Sequence, residues 1–187
     1  MMRRAFGGIV GVTLTLLAAA ANADELLWAA LKEGGHVILI RHATTDPGTG
    51  DPPGFKLGDC STQRNLSEAG RIEARRIGDA FAQRSIPVGE VRSSRWCRCL
   101  DTARIAFGSA QPWAMLDSLF ADPAREAERT AAVKAFVLDY ERGANAILVT
   151  HARNIAALVG SALAQGEMVI LKSDHDRVKV LGRLKAD

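Results

Sequence analysis

The chain has 187 residues, a length that favours one domain over two. Hydrophobic residues make up 48% and charged residues 24%, which excludes intrinsic disorder. Six prolines and scattered glycines exclude collagen-like and proline-rich architectures, and the formal charge of +3 hints at a polyanion partner until the first segment is set aside.

That segment reads as an export signal. Arg3 and Arg4 form a short positive start, and no charge follows until Asp24. Ile9 to Leu17 is apolar, and Ala21-Asn22-Ala23 has the small-x-small pattern of a signal peptidase site. A permanent membrane anchor fits less well, because the strongly apolar part is about half of the roughly 20 residues a span needs. Arg3-Arg4-Ala5-Phe6 matches a twin-arginine signal poorly. Cleavage between Ala23 and Asp24 takes away two arginines and no acid, so 22 basic residues face 21 acidic ones and the charge falls to +1. The expected protein is periplasmic or secreted. It has no nucleic-acid partner and no stable membrane insertion after signal removal.

Residues 24–34 predict a short helix through Leu26, Leu27, Ala30 and Leu31. Val37 to Ile40 is a continuous apolar run, as in a strand buried on both faces, and it stops at Arg41-His42. Residues 44–60 form a long Thr/Asp/Pro/Gly loop, of a length that is usually functional. Ser67 caps a helix whose Gly70, Ala74, Ile77 and Phe81 share one face. Val88 to Ser94 reads as a strand, followed by a helix through Trp96, Leu100, Ala103 and Phe107. Residues 113–116 predict another strand and 124–141 an amphipathic helix. Ala146 to Val149 is a second fully apolar strand, ending at Thr150-His151, and a helix with Ile155, Leu158 and Ala162 follows. Met168 to Leu171 and Val178 to Leu181 predict two last strands around an Asp174-His175-Asp176 turn. The order argues an α/β fold: a three-layer α/β/α sandwich, its sheet mostly parallel with an antiparallel edge.

Of three cysteines, Cys60 is expected to bridge Cys97 or Cys99 and leave one thiol over. Cys97-x-Cys99 lacks a nearby His or Cys pair to complete a zinc set, so no metal is expected there.

Open α/β sheets bind ligands beyond the carboxyl ends of their strands. Arg41-His42 and Thr150-His151 each stand where a buried strand stops, and Arg98 lies in the first turn of a helix just past another. Two guanidinium forks suit a phosphate dianion. One neutral imidazole can attack phosphorus if its other nitrogen is held, usually by a carbonyl, and the second imidazole, protonated, adds charge stabilisation. Phosphoryl transfer is chiefly positioning and electrostatics, so this set suffices without a metal or other cofactor.

Arg41-His42-Ala43, Ser93-Ser94-x-x-x-Arg98-x-x-x-Thr102-Ala103 and Val149-Thr150-His151 resemble the histidine phosphatase superfamily, the phosphoglycerate-mutase-like fold. Leu66-Ser67-Glu68-Ala69-Gly70-Arg71 is similar to that family's entry to its second helix, and the likeness spans roughly residues 36–172. The resemblance implies one such domain over residues 24–187. It makes His42 the phosphate-accepting nucleophile, with Arg41, Arg98 and His151 completing a metal-free phosphate pocket. The chain also resembles small bacterial periplasmic phosphatases, including those acting on heptose phosphates of the lipopolysaccharide core. Two departures are Ala43 and Ala152, where the family more often has Gly. A third is the general acid. Many members place a Glu near residues 115–118, where this chain has Ser118, and Asp117, Asp122, Asp46 and Asp51 are the candidates if any acid serves.

Arg64 and Asn65 are assigned a loop role, His36 and His175 structural or solvated roles, and the three tryptophans core packing. Asn154 either lines the pocket or caps a helix. The expected activity is a phosphomonoesterase working through phosphohistidine at His42 on a phosphorylated small molecule or a cell-envelope phosphate. Its rivals are a phosphoglycerate mutase-type phosphotransferase and a non-catalytic phosphate- or phosphosugar-binding protein. When the full chain is expressed in a bacterial host, N-terminal sequencing of the exported protein should begin at Asp24; retention of residues 3–23 would contradict the cleavage.

Overall fold

A computed structural model describes residues 23–141 and 143–186. The expected signal segment, residues 1–22, lies outside the described residues. Residues 23–33 are helical (α1). There follow β1 (Val37–Arg41), α2 (Glu68–Gln83), β2 (Val88–Ser93), α3 (Cys97–Phe107), β3 (Gln111–Pro112), α4 (Glu126–Leu138), β4 (Asn145–Thr150), α5 (Ala152–Val159), β5 (Glu167–Asp174) and β6 (Arg177–Lys185). The sheet order is β3-β2-β4-β1-β5-β6. The first four strands run parallel, while β5 pairs antiparallel with β1 and β6 with β5. This is the predicted mostly parallel sheet with an antiparallel edge.

The unbroken apolar runs are explained by burial on both faces. Successive side chains of a strand point to opposite sides. Ile38, Ile40, Ile147 and Val149 therefore join one core with Leu31, Ile77, Phe81 and Ala103 from α1, α2 and α3. Val37, Leu39, Ala146 and Leu148 join the other with Val133, Val137 and Ile155 from α4 and α5.

Ser67 caps α2, its Oγ accepting from Gly70 N at 3.1 Å. Gly70 has a second duty. A Cβ there would stand 1.8 Å from the Thr44 carbonyl oxygen, so only glycine lets α2 start against the segment leaving β1. This gives the Leu66–Arg71 motif a physical reason.

Three boundaries differ from expectation. The strand predicted at 113–116 falls instead at Gln111–Pro112, and Ala114–Leu116 is a 3-10 turn. Trp113 N still bonds Ser93 O at 2.8 Å, after which the chain folds inward to bury Leu116. The helix predicted over 124–141 is shorter. Pro123–Arg125 forms a 3-10 turn and α4 ends at Leu138. Likewise α5 stops at Val159, because Gly160 turns left-handed at φ 82°, so Ala162 lies beyond it.

Cys60 bridges Cys97, and Cys99 is left as a buried thiol. The bond closes a sequence separation of 37 residues and pins the 44–60 loop to the start of α3. Among the described residues, no helix is long and apolar enough to cross a membrane. Reduction, or Cys60→Ser, should lower unfolding stability in urea by about 3–4 kcal/mol. An unchanged midpoint with and without reductant would contradict a bond that closes this loop.

Candidate active site

The parallel strands β1, β2 and β4 end at one rim, and the predicted residues meet there. Two backbone bonds extend the strand pairing into the site, from His42 N to Thr150 O at 3.0 Å and from Ser94 N to Val149 O at 2.9 Å. Ala43 N donates to Thr102 Oγ1 at 3.0 Å, and that hydroxyl donates to Arg98 O at 2.7 Å. Thr102 thus joins the end of β1 to the turn carrying Arg98, which explains the Arg98-x-x-x-Thr102 spacing. Arg41, His42, Arg98 and His151 all line one cavity of about 410 Å³.

The His42 ring is buried, and its Nδ1 lies 2.9 Å from Ala43 O. A carbonyl only accepts, so Nδ1 carries the proton and Nε2 keeps its lone pair. No described residue hydrogen-bonds that Nε2. Burial lowers the His42 pKa to about 3; the Ala43 bond opposes the shift, and nearby Arg98, Arg41 and Arg64 add to it. The ring is therefore a neutral base at physiological pH.

The His151 ring stands edge-on to His42, centroids 5.5 Å apart. Its Nε2 lies 2.9 Å from Ser94 Oγ, and that hydroxyl is 3.4 Å from the Asp117 carboxylate. Burial, then the adjacent His42 and Arg98, hold His151 well below its ordinary pKa. The protonated second imidazole expected from the sequence is thus corrected. His151 is neutral at rest, since no anionic group among the described residues touches it to offset its desolvation. The Cys99 sulfur sits 3.5 Å from His151 Nε2, and burial pushes that thiol up to about 12, so it is unreactive.

Positive charge comes from arginines. Arg41 Nη1 donates to Leu163 O at 2.7 Å, and its buried Nε has no partner. Arg64, given a loop role from sequence, also lines the cavity. It donates to Gly50 O at 2.8 Å and to Thr45 Oγ1, so it braces the loop as well. Neither Arg41 nor Arg64 makes an ion pair with a described residue. Arg98 does: its Nη1 and Nη2 meet the two Asp51 oxygens at 2.6 and 3.2 Å. Arg153 also reaches the wall, paired with Glu126 at 3.0 Å.

The four candidate acids separate clearly. Asp117 is fully buried and accepts from Arg95 N at 2.9 Å and Arg95 Nε at 2.8 Å. Asp122 pairs with Arg129 at 3.2 Å and does not line the cavity. Burial works to raise the Asp51 pKa. The Arg98 hydrogen bonds and charge, Trp96 and Arg64 N–H outweigh it, so Asp51 stays ionised and cannot hand over a proton. Of the four, Asp46 alone is on the cavity wall, which Ser118 also lines.

Asn154 turns out to brace the 117–119 turn, bonding Asp117 O at 2.8 Å and Leu119 N at 3.1 Å. His36 bonds Asn145 inside the protein, as a structural residue does. Trp96 packs in the core but also sends its indole N–H to Asp51 at 2.8 Å. Sequence reasoning missed Thr45, Phe120 and Gln165 on the wall. No periodicity marks them. Among the described residues, no group of three or more His, Cys, Asp or Glu is placed to hold a metal ion.

Neutral buried histidines leave a signature in acid. The folded His42 pKa of about 3 lies below the unfolded value near 6.5. The unfolded state therefore binds more protons between these values, so stability is full above about 6.5 and falls as pH drops. The slope approaches about 1.4 kcal/mol per pH unit for each such histidine. Urea titrations at pH 6.5 and 4.5 should show His42→Asn losing about 2 kcal/mol less than wild type over that interval; parallel losses would contradict a buried neutral ring.

Comparisons with known proteins bear on the fold and on the first part of the chain. Residues 37–120 match the histidine phosphatase superfamily (branch 1). Among curated proteins none matches the chain in sequence. The protein histidine phosphatase SixA, solved with tungstate, superposes with a TM-score of 0.61 at 14% identity, over 81% of this chain and 97% of that one. A protein from Agrobacterium tumefaciens provisionally named phosphohistidine phosphatase SixA gives 0.56 at 22% identity, over 81% and 98%. The alpha-ribazole phosphatase from Shigella flexneri gives 0.56 at 16%, over 81% and 96%. Likeness at this identity speaks for the fold, and the match over residues 37–120 speaks for the sequence. Together they show a fold shared with solved phosphatases and a likeness to the histidine phosphatase superfamily over residues 37–120.

Proposed function

We propose that the protein is an exported phosphomonoesterase that works through a phosphohistidine at His42. The observation that carries this reading is the His42 ring itself. Its Nδ1 is tied to Ala43 O, and its Nε2 is neutral and takes no hydrogen bond from a described residue in an arginine-lined cavity. A phosphoryl dianion entering there meets Arg41 and Arg64, whose charges no described carboxylate pairs. The free Arg41 Nε–H is a ready donor to a phosphoryl oxygen.

Nε2 attacks phosphorus. An N–P bond forms as the P–O bond to the leaving group breaks, and charge spreads over oxygens that the arginines hold. The imidazolium that develops on His42 is stabilised through Nδ1–H against Ala43 O. Asp46, on the cavity wall, supplies the proton to the leaving oxygen. Water then attacks phosphorus and gives one proton back to the Asp46 carboxylate as the N–P bond breaks, returning phosphate, neutral His42 and protonated Asp46. His151 enters uncharged. Beside the bound dianion its pKa rises, and a proton gained there adds a donor next to the transferring group.

Export rests on the sequence of residues 1–23, and a disulfide between Cys60 and Cys97 is compatible with an oxidising compartment. Solved proteins of the same fold include a protein histidine phosphatase and an alpha-ribazole phosphatase, which supports phosphate release as the chemistry. The complete set in one cavity favours catalysis over mere binding.

The test is hydrolysis of p-nitrophenyl phosphate by wild type and His42→Ala, with EDTA present in both. His42→Ala should lose at least about 10³-fold in kcat, the scale of losing a nucleophile. Equal rates would remove His42 from the chemistry.

A further inference from the structure

Arg98 is held in an unusual way for a residue that faces a phosphate. Its two terminal nitrogens are taken by Asp51, and both side chains are almost wholly buried, at 4% and 5% exposed. Asp51 is itself fixed from two further sides. Trp96 Nε1 donates to Oδ2 at 2.8 Å, and Arg64 N donates to Oδ1 at 3.1 Å. The Cys60–Cys97 bond anchors the same loop one residue before Arg98. Gln63 Oε1 accepts from Cys97 N at 3.0 Å, and Arg64 O from Arg98 Nη1 at 3.3 Å.

A guanidinium has two usable forks. Asp51 takes the end-on fork, Nη1 with Nη2. The side-on fork, Nε with the outer hydrogen of Nη2, remains, and Arg98 Nε is buried without a partner. An unpaired buried N–H is costly unless something fills its place. Arg98 lines the cavity, whereas Asp51 does not. The carboxylate therefore sits behind the arginine rather than in the place of the substrate.

We propose that Asp51 is a positioning residue, clamping one fork of Arg98 from behind so that the other is presented, preset, to the phosphoryl group. This deepens the reading of the cavity as a phosphoryl site and rests on it. Arg98 then contributes directed hydrogen bonds more than net charge, because Asp51 balances its charge. Long side chains lose rotamer freedom when they bind, and a clamp takes that loss during folding.

The sign of the effect separates positioning from simple charge. Removing a carboxylate near an anion site should tighten anion binding by Coulomb's law, whereas losing the clamp should weaken it. Calorimetric titration with tungstate, on the oxidised full-length mature protein, reads this without turnover. Asp51→Asn should bind tungstate at least about 10-fold more weakly and raise KM for p-nitrophenyl phosphate. In an Arg98→Ala background the same change should cause no further loss. Equal or tighter binding by Asp51→Asn, or an undiminished loss in the Arg98→Ala background, would overturn the proposal. Should Asp51→Asn fail to fold, Trp96→Phe keeps the carboxylate and removes one N–H that holds it. A several-fold loss is expected there, and unchanged affinity would overturn the clamp. A wild type that binds no tungstate would instead sink the phosphoryl-site reading and this inference with it.

Discussion

The hydrogen bond between His42 Nδ1 and Ala43 O, 2.9 Å long, is the constraint on which the site depends. It selects the tautomer, fixes the ring and leaves Nε2 as the only nitrogen with a lone pair. The fold makes that bond reliable. β1 is locked between β4 and β5, His42 N continues the β4 pairing, and Ala43 N is caught by Thr102. The carbonyl that aims the His42 ring is thus part of a backbone already fixed on both sides. This also accounts for the tolerance of alanine at position 43. Neither Ala43 nor Ala152 has a positive φ, so glycine's extra freedom is not needed at either.

Electrostatics divide labour between the two residue types. Both imidazoles are held neutral, chiefly by burial. Both are therefore available as base or donor without adding charge to an empty cavity. Permanent charge is left to Arg41 and Arg64, while Arg98 and Arg153 carry their own carboxylates. Arg41 and Arg64, which no described carboxylate pairs, leave two positive charges in the cavity. A cavity with four unpaired arginines would repel itself, and Asp51 and Glu126 relieve that at two of the four.

Much of this was legible in the sequence because the signals were local. Four aliphatic residues in a row marked β1 and β4, and a strand that is buried on both faces must end at a rim. That alone placed Arg41, His42, Thr150 and His151. The Ser67 cap and the i, i+4 spacing of Arg98 and Thr102 were likewise readable, since a helix turns regularly. Asp51, Arg64 and Gln165 were not readable in their roles. Each acts across the loop or from a distant turn, as in Gln165 Nε2 to Thr45 Oγ1 at 3.1 Å, over 120 residues of chain. A Thr/Asp/Pro/Gly loop has no period to say which of its residues folds back. The choice of Cys97 over Cys99 was hidden for a related reason. Two cysteines at i and i+2 point to different sides of a helix, and only the packing of α3 shows that Cys99 faces inward to His151.

A covalent route through His42 differs from direct attack by water in the stereochemistry at phosphorus, whatever the substrate. Transfer of the phosphoryl group from a phosphomonoester made chiral with three oxygen isotopes to an alcohol that takes the place of water, followed by configurational analysis of the product ester, measures this directly. Two in-line displacements, first by His42 Nε2 and then by the acceptor, predict overall retention of configuration. Inversion would mean a single displacement and would contradict a phosphohistidine intermediate.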